Sequence, residues 1–488
     1  MALYAGIDVG TSGGRCLIVD EHGHRVGYGE HPWRYTPDDS GFPTLEPTTA
    51  IEALRASVTE ALKTCGASDL RGVGVTSQRT GVVLLDAGGR ELYVGPNTDG
   101  RGAQFGVEQE RAHADLIYRV AGRLPAMIYF PARFAWFRAN HPDLEPAVAL
   151  SFGDWIVARA TGVWATDPTQ AAEMLVYDVA MGHWSQDLLG ALSVPESILP
   201  SLRAAGEPAG VAEKGNPLGL PEGVAVFCAG ADTQCAALAL GVIESGQGFV
   251  VSGTTMLATQ LVSEFALDPK GRTWTSPHLV PDVLSQESHC GEGGAALSWL
   301  AGLVSVSPSA LVAESDQSEA GAGGVRFYDS YPSTARDFAL VRSGGFEFPV
   351  PVLALGRSRA DLARGLLEGI AFGARAGLDV LEEINGSPSE IAVAGGVARA
   401  RAFREALAGA SKRPIRVATE TASSALGAAI VAAAPDHGGV RSAAKAMADK
   451  GAEIDPVEAH GYPALYAAWR ERADDIDQRA MKMSGLLR

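Results

Sequence analysis

Paired cysteines are missing from this chain. Cys16, Cys65, Cys228, Cys235 and Cys290 are its five cysteines in 488 residues, and none is spaced as C-x-x-C. An odd number without close pairs signals neither a disulfide framework nor a zinc site, and Cys228 and Cys235 read as small core residues. Positive charge is also short: 40 Lys and Arg face 57 Asp and Glu, for a formal net charge of −17. A nucleic-acid partner wants a basic stripe, which this balance argues against. Phosphate ligands stay open, because helix N-termini and glycine-rich loops hold phosphate through backbone N–H groups. No uncharged apolar run is long enough to span a bilayer, so no membrane role is expected. The first residues lead straight into a strand, with no basic n-region and no signal-type h-region, so the expected compartment is the cytoplasm. No G-x-G-x-x-G with a suitably spaced acidic residue follows the first strand, which disfavours a dinucleotide-binding dehydrogenase.

What is present suits a globular α/β chain. Hydrophobic residues make up 46% and charged residues 20%, enough for an ordinary core, and the length fits two or three domains. The organising stretch is Val224 to Gly241. Val224 to Cys228 reads as a buried strand, and a helix starts near Thr233 after a small-residue turn. Asp232 sits where the strand stops, the place where α/β sheets bind ligands. Two readings stand at this point: a general base held on rigid elements, or a plain helix N-cap.

Tyr4–Val9 and Arg15–Asp20 read as two strands joined by Gly10-Thr-Ser-Gly-Gly14. Such a hairpin turn exposes N–H and hydroxyl groups that suit phosphate oxygens. Asp8, just before it, suits Mg²⁺ held through water. The pattern returns at Gly246–Leu261, where Ser252-Gly-Thr-Thr255 forms the turn. Two copies suggest duplicated domains facing each other across a cleft. Gln78, Arg79 and Thr80 follow the strand Leu70–Val75 and are either polyol-orienting groups or loop polarity. Asn97–Arg101 is likewise either pocket lining or a turn.

Thr48–Thr64 has helical spacing, with Ile51, Leu54, Val58 and Leu62 on one face. Glu108–Asn140 reads as mainly helical, interrupted at Pro125 and Pro131, with Phe130, Phe134, Trp136 and Phe137 as an aromatic patch that is either core packing or faces that stack on sugar rings. Ser151 opens a helix with Asp154 in its first turn, and Thr166–Gln170 is a polar loop. Gly291–Leu300 is a glycine turn running into a helix. Arg359–Asn385 is a long helix ended by Gly386; Gly365, Gly369, Gly373 and Gly377 give it a smooth ridge for close approach. Glu390–Arg399 is a strand with a Gly395-Gly396 turn, followed by a helix from Ala400 that suits a nucleotide. After Pro435 the chain reads as a polar helical tail.

Taken in order, these motifs resemble the FGGY carbohydrate kinases over nearly the whole chain. Asp8–Arg15 and Ser252–Thr255 are similar to the two phosphate loops, Ala229-Gly-Ala-Asp-Thr-Gln234 to the segment with the catalytic Asp, and Ala394–Arg399 to the adenosine motif. The resemblance implies an α/β fold of two ribonuclease-H-like, actin-like domains, residues 1–243 for sugar and 244–488 for nucleotide, with ATP in the interdomain cleft. It implies Asp232 as catalytic base, and ATP contacts from Gly10, Thr11, Ser12, Arg15, Gly253, Thr254, Thr255, Gly294, Ser298, Gly395, Gly396 and Ala400. Gln78, Arg79, Thr80, Asp99, Asp232 and Gln234 would bind substrate, and Asp8 with Asp232 would hold Mg²⁺. Ala400 stands where the family usually has Ser or Asn, and Thr80 where glycerol kinase has Glu; the Met-His pair of xylulokinase is absent.

The expected activity is ATP-dependent phosphorylation of a sugar or polyol, such as xylulose, ribulose or a related polyol. Glycerol-kinase-like and autoinducer-2-kinase-like activities are alternatives within the family. Outside it stand an actin-like ATPase without sugar chemistry and a sugar-sensing pseudokinase. The expected partners are the small substrate and ATP, with a homodimer kept as an assembly option.

Overall fold

Two sheets of one plan carry the chain. The computed structural model describes residues 2–65, 69–328, 344–351 and 356–486. In the N-terminal half, β1 (Leu3–Val9), β2 (Gly13–Asp20) and β3 (Arg25–Pro32) pair antiparallel. β4 (Leu70–Ser77) runs parallel to β1, and the short β5 (Gly210–Val211) edges β6 (Ala225–Ala231), which runs parallel to β4. The order is β5-β6-β4-β1-β2-β3. The C-terminal half repeats the plan with β7 (Gly248–Ser252), β8 (Thr255–Val262), β9 (Trp274–Pro277), β10 (Leu284–Glu292), β11 (Ile391–Gly395), β12 (Ile415–Val417) and β13 (Ala452–Ile454). Its order is β9-β10-β8-β7-β11-β12-β13, with the β7–β8 hairpin antiparallel and β7, β11 and β12 parallel. This is the duplicated ribonuclease-H-like, actin-like α/β architecture expected from the sequence.

Strands β1 and β4 are almost wholly buried, as strands covered on both faces must be. Helix α1 (Pro47–Leu62) lies over β2 and β3 and buries Leu54 and Val58. Helix α2 (Ser423–His437), from the C-terminal half, lies on β1 and β4. It comes so close that a Cβ on Gly6 would stand 1.7 Å from the Ala425 carbonyl oxygen. Only glycine admits that approach. One apolar core joins the halves: Tyr4 and Phe227 from the first sheet, Phe249 and Ala392 from the second, around Leu238, Leu426 and Ile430. Among the described residues no single helix is long and apolar enough to cross a membrane.

The long helix Arg359–Asn385 forms as expected, opened by a Ser358–Asp361 capping box and ended at Gly386. Its glycine ridge receives strand residues: a Cβ on Gly369 would lie 2.4 Å from the Phe327 carbonyl oxygen, and one on Gly377 2.2 Å from Cys290 Sγ. Phe130, Phe134 and Phe137 are core residues. Three boundaries differ from the expectation. Pro131 falls in the first turn of the helix Phe130–Asn140, where proline is tolerated, so it starts that helix instead of breaking it. Gly291 belongs to β10, not to a turn. The segment after Pro435 is more than a polar tail: Pro435 lies inside α2, β13 extends the sheet, and the terminal helix Tyr462–Leu486 buries Tyr462 and Trp469 in the C-terminal core.

Candidate active site

Register sets the site. Val9, Ser77 and Ala231 are neighbours across β1, β4 and β6, three strands running the same way. Gly10, Gln78 and Asp232 therefore leave the sheet together at its C-terminal edge, where α/β folds bind ligands. Asp232 is the first residue of the helix Asp232–Ala239; the cap position belongs to Ala231, so the N-cap reading is corrected by one residue. Its Oδ1 accepts from the Thr233 N–H at 2.8 Å. Burial first, then the Asp8 carboxylate, pushes its pKa up to about 7, while Arg79 pulls it down. A carboxylate so poised titrates near neutral pH, as a general base should.

Asp8 is buried, and burial raises its pKa above the usual carboxylate range. Arg15 reaches its Oδ2 at 3.4 Å and binds Glu30 at 2.7 Å. Asp8 Oδ1 has no hydrogen-bond partner. An orphaned carboxylate oxygen electrostatically coupled to a second acid fits a hydrated Mg²⁺. Among the described residues no group of three or more His, Cys, Asp or Glu could hold a metal ion.

The first loop closes with a Gly10 N–H bond to the Gly13 carbonyl at 3.0 Å. Thr11 is partly exposed and Ser12 exposed. Gln78 is buried and braces this loop: its Nε2 donates to the Gly10 carbonyl at 3.3 Å and to Tyr35 OH at 3.1 Å, while its Oε1 accepts from the Asn97 N–H at 3.2 Å. Asn97 Nδ2 donates to Thr11 Oγ1 at 3.3 Å. Thr80 takes the left-handed conformation, with φ of 59°, and its carbonyl accepts from Arg133 at 2.7 Å. Asp99 is buried and spends its carboxylate on Tyr93 and Arg101.

Arg79 makes the link between halves. Its guanidinium lies 2.6 Å from Glu287 and 3.6 Å from Glu173, with Trp274 at 5.8 Å across its face. Gln234 Nε2 donates to the other Glu287 oxygen at 3.1 Å, and Arg123 pairs with Glu173 at 2.7 Å. Glu287 and Trp274 come from β10 and β9 of the C-terminal half. Sequence reading missed Glu173, Glu287, Trp274 and Arg123; Glu287, a charge on a strand, reads as solvent-facing until its neighbours are known.

On the second sheet, Gly253, Thr254 and Thr255 are exposed. The N–H groups of Gly293 and Ala295 donate to the Thr254 carbonyl at 3.0 and 3.1 Å, and that of Gly294 to the Gly253 carbonyl at 2.7 Å. The amides opening the helix Gly294–Leu303 are thus spent on bracing the loop. Ser298 and Trp299 are exposed on that helix, next to an apolar hollow of about 440 Å³ lined by Ala296, Trp299, Phe327 and Tyr328. Ser252 pairs with Gly395 in the β7–β11 register. Gly395 has φ of 107°, and a Cβ there would stand 2.2 Å from the Ser252 carbonyl oxygen. The loop and the Gly395-Gly396 turn therefore form one backbone unit. Ala400 is buried at the cap position of the helix Arg401–Ser411, with no side-chain cap bond. Larger hollows, near Arg111 and near Glu52, touch none of these residues.

Comparison with known proteins agrees with this layout. Residues 3–239 match the N-terminal domain model of the FGGY family of carbohydrate kinases, and residues 248–435 match its C-terminal domain model. The chain is 27% identical to the autoinducer-2 kinase of Photorhabdus laumondii over 450 residues, covering 87% of this chain and 84% of that protein. It superposes with a TM-score of 0.82 on xylulose kinase from Rhodospirillum rubrum, at 25% identity over 98% of this chain and 100% of that one. Gluconate kinase from Lactobacillus acidophilus shares the fold, with a TM-score of 0.85 at 18% identity over 99% and 100% of the two chains. The chain belongs to the FGGY family of carbohydrate kinases and is an ATP-dependent sugar kinase.

Proposed function

We propose that the acceptor is a ketopentose such as xylulose or ribulose, or a related polyol, and that Asp232 is the general base. The observation behind this is the position of Asp232: it leaves the sheet edge beside the first loop, coupled to Asp8 and Arg79, with a pKa near 7. Its carboxylate would take the proton of the acceptor hydroxyl as that oxygen attacks the terminal phosphorus. Positioning and charge stabilisation carry most of such a transfer. The first loop and Arg15 would hold phosphate from one side, and Gly253, Thr254 and Thr255 from the other. Gly395 and Gly396 would let the nucleoside lie against backbone, with Ser298 and the neighbouring apolar hollow beside it. Asp8 and Asp232 would hold Mg²⁺ through water; when bound, the ion neutralises charge on the phosphate oxygens. Gln78 and Asn97 keep the loop in shape, and Arg79, Thr80 and Gln234 face the acceptor. Asp99 keeps its carboxylate on Tyr93 and Arg101. We place the boundary between the two functional halves at residues 243 and 244.

A coupled ADP-release screen over ketopentoses, pentitols, glycerol, aldoses and autoinducer-2 tests the reading. ADP release should depend on one of the ketoses or polyols. An ATPase rate that no sugar or polyol changes would contradict it.

A further inference from the structure

The cations beside Asp232 are already neutralised. Arg79 acts on Asp232 directly, yet its guanidinium is held by Glu287 at 2.6 Å and Glu173 at 3.6 Å. The Glu287 side chain is fully buried. Arg123, behind it, is paired with Glu173 at 2.7 Å, and Arg15 with Asp8 and Glu30. Two guanidinium groups, Arg79 and Arg123, thus meet two carboxylates, Glu173 and Glu287. Arg15 offsets Asp8, and Asp232 adds acid beyond that balance. A guest carrying its own carboxylate would enter a buried site whose guanidinium groups are all paired and whose proposed Mg²⁺ is taken up by phosphate, which is heavily penalised.

Glu287 also fixes Gln234. Because the amide Nε2 must donate to a carboxylate, the assignment of its two ends is settled, and Gln234 Oε1 is left buried without a partner. That oxygen needs an O–H donor, which any polyhydroxy compound offers, so it favours a hydroxyl-bearing guest while the charge balance discriminates against a carboxylate.

We propose that Glu287 is a specificity-determining residue: by neutralising the charge of Arg79 beside Asp232, it restricts the acceptor to uncharged polyhydroxy compounds and shuts out aldonates. The proposal rests on the kinase reading of Asp232 given above. It also means that the acceptor site needs both halves, since Glu287 is supplied by β10 of the C-terminal sheet.

The test compares the best neutral acceptor with the aldonate of the same chain length, reading kcat and KM separately and acceptor binding by calorimetry. For the native protein kcat/KM should be at least about 100-fold lower for the aldonate, as expected when a buried charge lacks its partner. Glu287→Gln keeps the shape and removes the charge, so it should narrow that gap at least about tenfold, through the aldonate KM. Equal use of both acceptors by the native protein, or an unchanged ratio in a cooperatively melting Glu287→Gln protein, would overturn the proposal. If that variant does not fold, calorimetry on the native protein decides: the neutral acceptor binds and the aldonate does not, or the proposal fails. If neither compound is phosphorylated, the kinase reading fails, and the same calorimetric contrast still judges the charge rule on its own.

Discussion

The two loops are built on equivalent hairpins and differ in what surrounds them. The first, Gly10–Gly14, has a buried carboxylate before it at Asp8 and a guanidinium after it at Arg15. The second, Ser252–Thr255, follows Val250 and Val251 and is supported by uncharged groups: the amides of residues 293–295, the tight contact with Gly395 and the Ala398 N–H on Ser252 Oγ. One duplicated plan thus carries charged side chains at one loop and uncharged support at the other, which the proposed function assigns to chemistry and to grip. Asp154 and Asp167 are also buried in the N-terminal half.

The strongest way to break this contrast is to remove the charge from the first loop. Asp8→Asn should lower kcat by about 10² to 10³, as loss of one preorganised electrostatic group does, and raise the Mg²⁺ concentration needed for half-maximal rate. Steady-state titration with Mg²⁺ checks it. On the second loop the effect should fall on binding instead. Gly395→Ala forces a side chain into a left-handed backbone against Ser252, a strain of about 1–3 kcal/mol. It should appear as a roughly tenfold rise in the KM for ATP with kcat nearly kept.

The buried acids of the N-terminal half give a pH signature. Burial raises Asp154 to about 6, and burial with the charge of Asp154 raises Asp167 to about 7. In the unfolded chain both titrate near about 3.9. The folded form therefore keeps protons that the unfolded form releases between those values. This contribution to stability is complete below about pH 4 and is lost as pH rises to about 7, by about 1.4 kcal/mol per pH unit for each carboxyl. The melting temperature should fall between pH 5 and pH 8. Asp167→Asn keeps the Oδ1 acceptor for the Thr169 N–H and hydroxyl, both at 2.7 Å, and should flatten that fall. The smallest expected effect is at the nucleotide end. Ala400→Ser supplies the missing cap and should add up to about 1 kcal/mol in denaturant unfolding.

What the sequence made legible was punctuation. Gly10–Gly14, Ser252–Thr255 and Gly395-Gly396 announce turns because glycine marks close approach, and Gly386 marks the end of a helix correctly. Asp232 was legible because a lone acid follows an apolar strand. Glu287 was not. It stands in Ser285-Gln-Glu-Ser288, a polar run that reads as exposed, yet all four residues are buried. Their burial comes from segments far away in sequence: the amide of Asn385 donates to Gln286, and Arg79 and Gln234 bind Glu287. Gln78 and Asp99 were legible as polar pocket candidates, but not as braces, because bracing depends on Tyr35, Tyr93 and Arg101 arriving from other elements.

The central claim is that Asp232 activates the acceptor while the loops hold the nucleotide, and one paired measurement on Asp232→Asn tests it. ATP affinity by calorimetry should stay within about threefold of the native value, while acceptor-dependent ADP release from the same sample falls at least about 10³-fold. Native-like ADP release from Asp232→Asn would contradict the account.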